Sequence, residues 1–224
     1  MAAIRGWLID VYDTVLSVDF VAMVHELAEA ASVPPAVFTD PDDELNAAVG
    51  RGTLGLADVF ADVLTAAGQR AEPERIAHLV RRDRELLIEH SRVHADAVSF
   101  LERLRSAGVP TAIVSNCADN TRQLLEHHGL DALVDHLVLS CEVGVVKPDP
   151  AIFTLALGRL DLPAGEVAFL DDQTAFCQGA QDVGIRPVQI IRRGDGPDTA
   201  PDGAAGAAPW PRVDSCHRLE PHTL

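Results

Sequence analysis

Four short segments carry side chains whose types and order suit one chemistry: Leu8-Ile9-Asp10-Val11-Tyr12-Asp13-Thr14, Ile113-Val114-Ser115-Asn116, Lys147-Pro148-Asp149-Pro150 and Ala168-Phe169-Leu170-Asp171-Asp172. Each sets a polar or charged residue at or just past an apolar run, where a buried strand would end. In an open parallel sheet such ends converge on one crevice, so residues distant in the chain become one site. That site would gather the carboxylate of Asp10, the hydroxyl of Ser115, the ammonium of Lys147 and the carboxylates of Asp171 and Asp172. The set suits attack by a carboxylate on an anionic centre. Asp10 would be the nucleophile, splitting a hard hydrolysis into two easier steps through a covalent intermediate. Ser115 and nearby backbone N–H groups would offer oriented donors to the anion. Lys147, positioned by a stiff Lys-Pro dipeptide and not by a helix, would hold Asp10 and neutralise the transferred group. Singly, each residue has an ordinary reading: a strand-end Asp closing a turn, a Ser-Asn pair ending a strand, a solvated loop Lys.

The doubled acid Asp171-Asp172 decides most. Carboxylates crowded around one Lys repel by roughly 4 kcal/mol per pair at about 4 Å and an effective dielectric near 20. Either their pKa values rise or a divalent cation joins them. Hard oxygen ligands, with no His or Cys inside the four segments, point to Mg²⁺. Such an ion between Asp10 and a phosphoryl oxygen would let a carboxylate approach an already negative electrophile.

The elements that must position these residues follow from apolar spacing and from Gly and Pro. Ile4 to Ile9 reads as a short buried strand ending at Asp10. From about Asp19 to His90 the pattern is helical: Phe20, Val24 and Leu27 share a face, as do Leu56, Val59, Phe60 and Val63, and Ile76, Leu79, Val80 and Leu87. This stretch reads as an inserted helical module without strands. Strand and helix then alternate, with strands at Pro110–Val114, Leu137–Leu139, Val167–Leu170 and Pro187–Ile191. Asp149-Pro150 offers an N-cap and a first-turn proline for a helix to about Leu160. Alternation of this kind predicts an α/β fold, a three-layer Rossmann-like core around a mainly parallel sheet. The expected division is a core of residues 1–16 and 92–193, a helical cap of 17–91, and a mobile tail rich in Gly, Ala and Pro over 194–224.

In order, the four segments resemble the motifs of the haloacid dehalogenase-like hydrolase superfamily, over roughly residues 4–191. The run Val143-Gly144-Val145-Val146-Lys147-Pro148-Asp149-Pro150-Ala151-Ile152-Phe153, followed by Phe169-Leu170-Asp171-Asp172, is similar to the branch that holds the N-terminal phosphatase domain of soluble epoxide hydrolases. The resemblance implies a helical cap inserted after the first motif. It implies Asp10 as nucleophile, Ser115 as phosphate donor and Lys147 as charge partner. Tyr12, Thr14, Ser115, Asn116 and Lys147 would border the substrate. Mg²⁺ would be held by Asp10, the backbone carbonyl of Tyr12 and Asp172, with Asp171 in support.

Three residues depart from the family phosphatase pattern. Tyr12 stands where a general-acid Asp protonates the leaving oxygen, and loss of such an acid typically forfeits about 10²–10⁴ in rate. Tyr at this position resembles the 2-haloacid dehalogenases, whose halide leaves as an anion. Asp13 replaces the usual Gly, and Phe176 replaces an Asp or Asn that supports the metal. The dehalogenases, however, bind no metal and carry small polar residues where this chain has Asp171-Asp172. A Mg²⁺-dependent phosphatase acting on a small phosphorylated metabolite is therefore the leading expectation. A 2-haloacid dehalogenase using the same nucleophile, or a low-turnover protein that binds a phosphorylated ligand or a partner, are the alternatives.

Composition bounds the setting. A chain of 224 residues, 47% hydrophobic, can bury a good core and an accessory unit. No apolar run nears the ~20 residues of a membrane span, and the N-terminus shows no signal-peptide pattern. The four Cys lack metal or disulfide spacing, which suits free thiols in a reducing cytoplasm. A net charge of −16 disfavours nucleic acid and anionic membrane as partners, leaving a small anionic substrate, with oligomeric state open. Arg51 in the Gly50-Arg51-Gly52 turn and Arg192-Arg193 after the last strand read as solvated.

Overall fold

Residues along the central strands alternate between two buried clusters, which makes a sheet covered on both faces. The computed structural model describes residues 3–39, 43–192 and 209–223. Trp7 and Ile9 of β1 (Gly6–Ile9), Ile113 of β4 (Thr111–Ser115), and Ala168 and Leu170 of β6 (Val167–Asp171) belong to one cluster. Leu8, Ala112, Val114, Val167 and Phe169 belong to the other. The first cluster is completed by α6 (Ala95–Ser106) and α7 (Thr121–His127), with Phe100 edge-on to Trp7 at 4.9 Å between ring centroids. The second is completed by α9 (Pro150–Leu160) and α10 (Thr174–Asp182), with Phe153 edge-on to Phe169 at 5.3 Å. Three layers result, as the alternation of elements predicts.

With β5 (His136–Leu139), β7 (Arg186–Ile190) and β8 (Arg212–Val213), the sheet runs β5-β4-β1-β6-β7-β8, every neighbouring pair parallel. β4, β1 and β6 sit side by side at its centre, so their carboxyl ends open on one crevice. The register Ile9↔Leu170 sets the next residues, Asp10 and Asp171, on adjacent strands. α8 (Ser140–Val143) then turns the chain from β5 towards Lys147, and Asp149 caps α9 by accepting from Ala151 N at 2.9 Å, as expected. The Lys147-Pro148 peptide is cis.

Between β1 and β4, the first two motif-bearing strands, lie α1 (Phe20–Ala31), α2 (Ala36–Thr39), α3 (Asp43–Gly50), α4 (Leu56–Ala66) and α5 (Pro73–Glu89). Their buried residues, among them Leu27, Phe60, Leu79 and Leu86, join the cluster that holds Trp7. The stretch is bracketed by an antiparallel ribbon of β2 (Leu16–Val18) and β3 (Ser91–Val93), which pairs Leu16 with Val93 and Val18 with Ser91. From about Asp19 to His90 the described residues form helices without strands, as expected, and the ribbon overlaps only the edges of the expected 17–91 span.

The expected mobile tail is corrected over residues 209–223. Gln189 N donates to Pro211 O at 2.9 Å and Ile191 N to Val213 O at 2.8 Å, which adds β8 to the sheet. Trp210, Cys216 and Leu219 are buried, and Trp7 Nε1 donates to Pro221 O at 2.9 Å. Apolar anchors spaced along a Gly-poor end outweigh the Gly- and Ala-rich composition before it; residues 194–208 of that expectation, and Arg193, lie outside the described residues. Among the described residues no helix is long and apolar enough to cross a membrane.

Candidate active site

β1 ends at Ile9, and the chain then folds back so tightly that Thr14, Val15 and Leu16 all donate to Val11 O. The turn passes through Asp13 at φ 54°, a left-handed conformation that explains why glycine is usual there and why Asp, which tolerates it better than most residues, can substitute. Asp10 N donates to Leu170 O at 2.9 Å, which locks the first residue of the turn to β6. Asp10 and Asp171 are both buried. Two like charges on adjacent strand ends would be untenable without a cation.

Lys147 is that cation. Its Nζ donates to Asp10 Oδ1 and to Asp171 Oδ2, each at 2.6 Å, and the residue is 2% exposed. Burial works to lower its pKa, but Asp10 and Asp171 outweigh burial and raise it, so the ammonium stays charged. The ring of Phe176 lies 4.8 Å from Nζ and that of Phe169 lies 5.4 Å away, distances at which a π-face attracts a cation. Phe176 therefore has a role in this chain: its ring lies against the ammonium.

Lys147 does not reach its place alone. Asn116 Nδ2 donates to Lys147 O at 2.9 Å, and Lys147 N donates to Asn116 Oδ1 at 2.7 Å. The Asn116 amide oxygen and one of its two N–H donors are thus engaged by the backbone of one residue, so Asn116 clamps the end of β4 to the Lys147 loop. Ser115 Oγ and Thr14 Oγ1, by contrast, are buried, and neither has a hydrogen-bond partner among the described residues. A buried hydroxyl left unmet is costly, and a substrate anion would satisfy it. Thr14 O is occupied by Arg192, whose Nε and Nη2 donate to it at 2.9 and 2.6 Å while Nη1 pairs with Asp96 at 3.0 Å. The solvated reading of Arg192 is corrected: it is a half-buried brace under the first motif. Arg51 is exposed, as expected.

Asp10, Asp171 and Asp172 bring carboxylate oxygens within 4.8 Å of one another. Burial, countered by Lys147 and aided by Asp171, pushes the Asp10 carboxyl up to about 7. Burial, together with the charges of Asp10 and Asp13, pushes Asp172 up to about 6, and burial raises Asp171. Asp171 has both oxygens engaged, one by Lys147 and one by Gln173 N at 2.8 Å; Asp172 hydrogen-bonds to neither. Three carboxylates against one ammonium leave an excess of two negative charges, carried on hard acceptor oxygens that fit a divalent cation.

Tyr12 is half-buried, and its hydroxyl lies 2.7 Å from Thr121 Oγ1. Thr121 Oγ1 donates on to Asn120 Oδ1 at 3.4 Å, and Asn120 Nδ2 donates to Asp83 Oδ2 at 2.7 Å. Burial raises the Tyr12 pKa further above the ordinary range. Tyr12 thus ties its hydroxyl into a chain of hydrogen bonds that ends on a buried carboxylate of α5. Sequence spacing gives no hint of these bonds, because Asp83 sits on a helix whose pattern reads only as amphipathic.

The model of the haloacid dehalogenase-like hydrolases matches residues 4–184. The (S)-2-haloacid dehalogenase 1 of Pseudomonas sp. (strain CBS-3) is 30% identical over 201 residues, 86% of each protein. The phosphoserine phosphatase of Thermus thermophilus is 31% identical over 155 residues, 66% of this chain and 60% of that protein. Other matched dehalogenases align over about half of their own length. Among solved structures, an enzyme from Bacteroides thetaiotaomicron in complex with magnesium and inorganic phosphate superposes with a TM-score of 0.68, at 17% identity over 86% of this chain and 96% of that one.

Proposed function

The chain belongs to the haloacid dehalogenase-like hydrolase family, and within it we propose a Mg²⁺-dependent phosphatase of the cytoplasm, acting on a small phosphorylated metabolite. The observation that carries this reading is the acidic excess around Lys147: Asp10, Asp171 and Asp172 converge on a single ammonium, beside the unmet hydroxyl of Ser115. A haloacid carboxylate would be repelled by this cluster, whereas a phosphoryl group arriving with a divalent cation would be drawn in. The match to a phosphoserine phosphatase supports the same reading.

Asp10 would attack phosphorus through one carboxylate oxygen while Lys147 holds the other. Ser115 would donate to a phosphoryl oxygen, and water would then cleave the aspartyl phosphate. Asp10, the backbone carbonyl of Tyr12 and Asp172 are the residues that would hold Mg²⁺, with Asp171 in support. Bound there, the ion supplies positive charge to the phosphoryl oxygens. Residues 17–91 would act as a cap that excludes bulk water and sets specificity.

A second reading, 2-haloacid dehalogenase, is favoured by the match to (S)-2-haloacid dehalogenase 1 over 86% of each protein and by Tyr12, which occupies the general-acid position with its hydroxyl hydrogen-bonded to Thr121, an arrangement suited to a leaving group that needs no proton. The deciding experiment is a panel of phosphate esters and 2-haloacids, with and without EDTA, for the native chain and Asp10→Asn. Phosphate release that EDTA and Asp10→Asn both abolish supports the phosphatase. Halide release indifferent to EDTA replaces it with the dehalogenase. Binding of phosphorylated ligands without turnover of either class would leave a recognition protein.

A further inference from the structure

Cys117 and Cys141 meet at the edge of the site, and the sheet register is the reason. Ser115 of β4 pairs with Leu139 of β5, so the two cysteines each lie two residues past a matched pair on neighbouring parallel strands. Their sulfurs are 3.8 Å apart. Ser140 Oγ fixes the approach, accepting from Cys117 N at 2.9 Å and donating to Cys117 O at 3.4 Å. Cys117 is buried and Cys141 half-buried, so the pair is reachable from one side. The contact with Cys141, whose own thiol also donates to Ala118 O at 3.3 Å, draws the Cys117 thiol below its ordinary range.

We propose that Cys117 and Cys141 are a redox-active dithiol that a peroxide closes to a disulfide, switching the catalytic site off. In the first step the thiolate attacks one peroxide oxygen, the O–O bond breaks, hydroxide leaves and a sulfenic acid forms. In the second, the other thiol attacks the sulfenic sulfur, the S–S bond forms and the S–O bond breaks, releasing water. Overall, two thiols and one hydrogen peroxide give one disulfide and two waters.

The consequence for the site follows from what surrounds each cysteine. Cys141 lies in α8 with the α3–α4 turn against it: a Cβ on Gly52 would sit 1.8 Å from Cys141 O. Cys117 lies in the loop between β4 and α7, beside Asn116. Closing 3.8 Å to an S–S bond of about 2.05 Å therefore moves the Cys117 side more. That motion pulls on Ser115 and on Asn116, which holds both the backbone N–H and the carbonyl of Lys147. A misplacement near 1 Å can cost on the order of 10²-fold in rate.

The activity half of this inference rests on the phosphatase reading; the cross-link half does not. The full chain is titrated with hydrogen peroxide and followed by intact mass, by peptide mapping and by hydrolysis of an aryl phosphate with Mg²⁺. The expected result is a loss of two hydrogens mapped to a Cys117–Cys141 bond, about a 10²-fold fall in rate, and recovery with dithiothreitol, while Cys141→Ser keeps its rate at the same dose. Cysteines 117 and 141 that both stay alkylatable, or that reach sulfinic acid without cross-linking, overturn the dithiol. A cross-linked protein with full activity overturns the switch. If no phosphatase activity exists, that failure belongs to the function reading, and the peptide map alone decides the dithiol.

Discussion

Asn116 grips Lys147 by both ends of its side-chain amide, accepting from Lys147 N at 2.7 Å and donating to Lys147 O at 2.9 Å. The general consequence is that the charge partner of the nucleophile is held by its backbone from the neighbouring strand end, while its ammonium is held by Asp10, Asp171 and two aromatic rings.

Asn116→Ala should therefore act as a loss of positioning. We expect kcat on an aryl phosphate to fall by about 10²-fold with KM changed little, because the amide oxygen and one N–H of the side chain are engaged by the Lys147 backbone. Steady-state kinetics checks this split. A rise in KM with kcat intact would return Asn116 to the substrate-binding role.

The Tyr12 hydroxyl is hydrogen-bonded to Thr121 and burial raises its pKa, so this position holds no strong acid for the leaving oxygen. Alkyl phosphates should turn over far more slowly than aryl or acyl phosphates. Tyr12→Asp should raise the alkyl-to-aryl rate ratio, by up to the roughly 10²–10⁴ that a positioned acid contributes. Equal wild-type rates on the two classes, or a ratio that Tyr12→Asp leaves unmoved, would contradict the assignment.

Asp83 supplies a pH signature. Burial raises its carboxyl from 3.8 to about 6 in the fold, even with Asn120 donating to it. A raised folded pKa means the contribution to stability is fully present below about pH 4 and is lost as pH climbs through about 6. Asp83→Asn keeps an acceptor for Asn120 and carries no charge. Relative to wild type it should gain stability from pH 4 to pH 7, by on the order of 2–3 kcal/mol, or about 2–4 °C in Tm for each kcal/mol. Thermal melts at the two pH values check it, and a difference independent of pH would contradict it.

The chemistry of the site was legible because a carboxylate cannot sit inside a buried apolar strand without a partner, so Asp10 and Asp171-Asp172 had to mark strand ends, and α/β alternation makes such ends converge. Asp149-Pro150 was legible for a similar local reason: its N-cap and fixed φ act within one turn. What was illegible is non-local. The strands Leu16–Val18 and Ser91–Val93 have three residues each, too few for a period, and they find each other across the whole helical stretch. The clamp of Asn116, the ring of Phe176 over Lys147 and the brace of Arg192 on Thr14 depend on which chains lie side by side, and no spacing within one segment encodes that. Composition misled at the C-terminus, where Trp210, Cys216 and Leu219 anchor a segment beyond a Gly- and Ala-rich run.

The claim on which all of this turns is that Asp10 is phosphorylated during turnover. The native chain, mixed with Mg²⁺ and an aryl phosphate and quenched in acid within one turnover, should yield a peptide around residue 10 that carries one phosphoryl group on Asp10, absent from Asp10→Asn. A peptide that stays unmodified while phosphate is being released, or one that gains an ester from a 2-haloacid instead, would contradict the account.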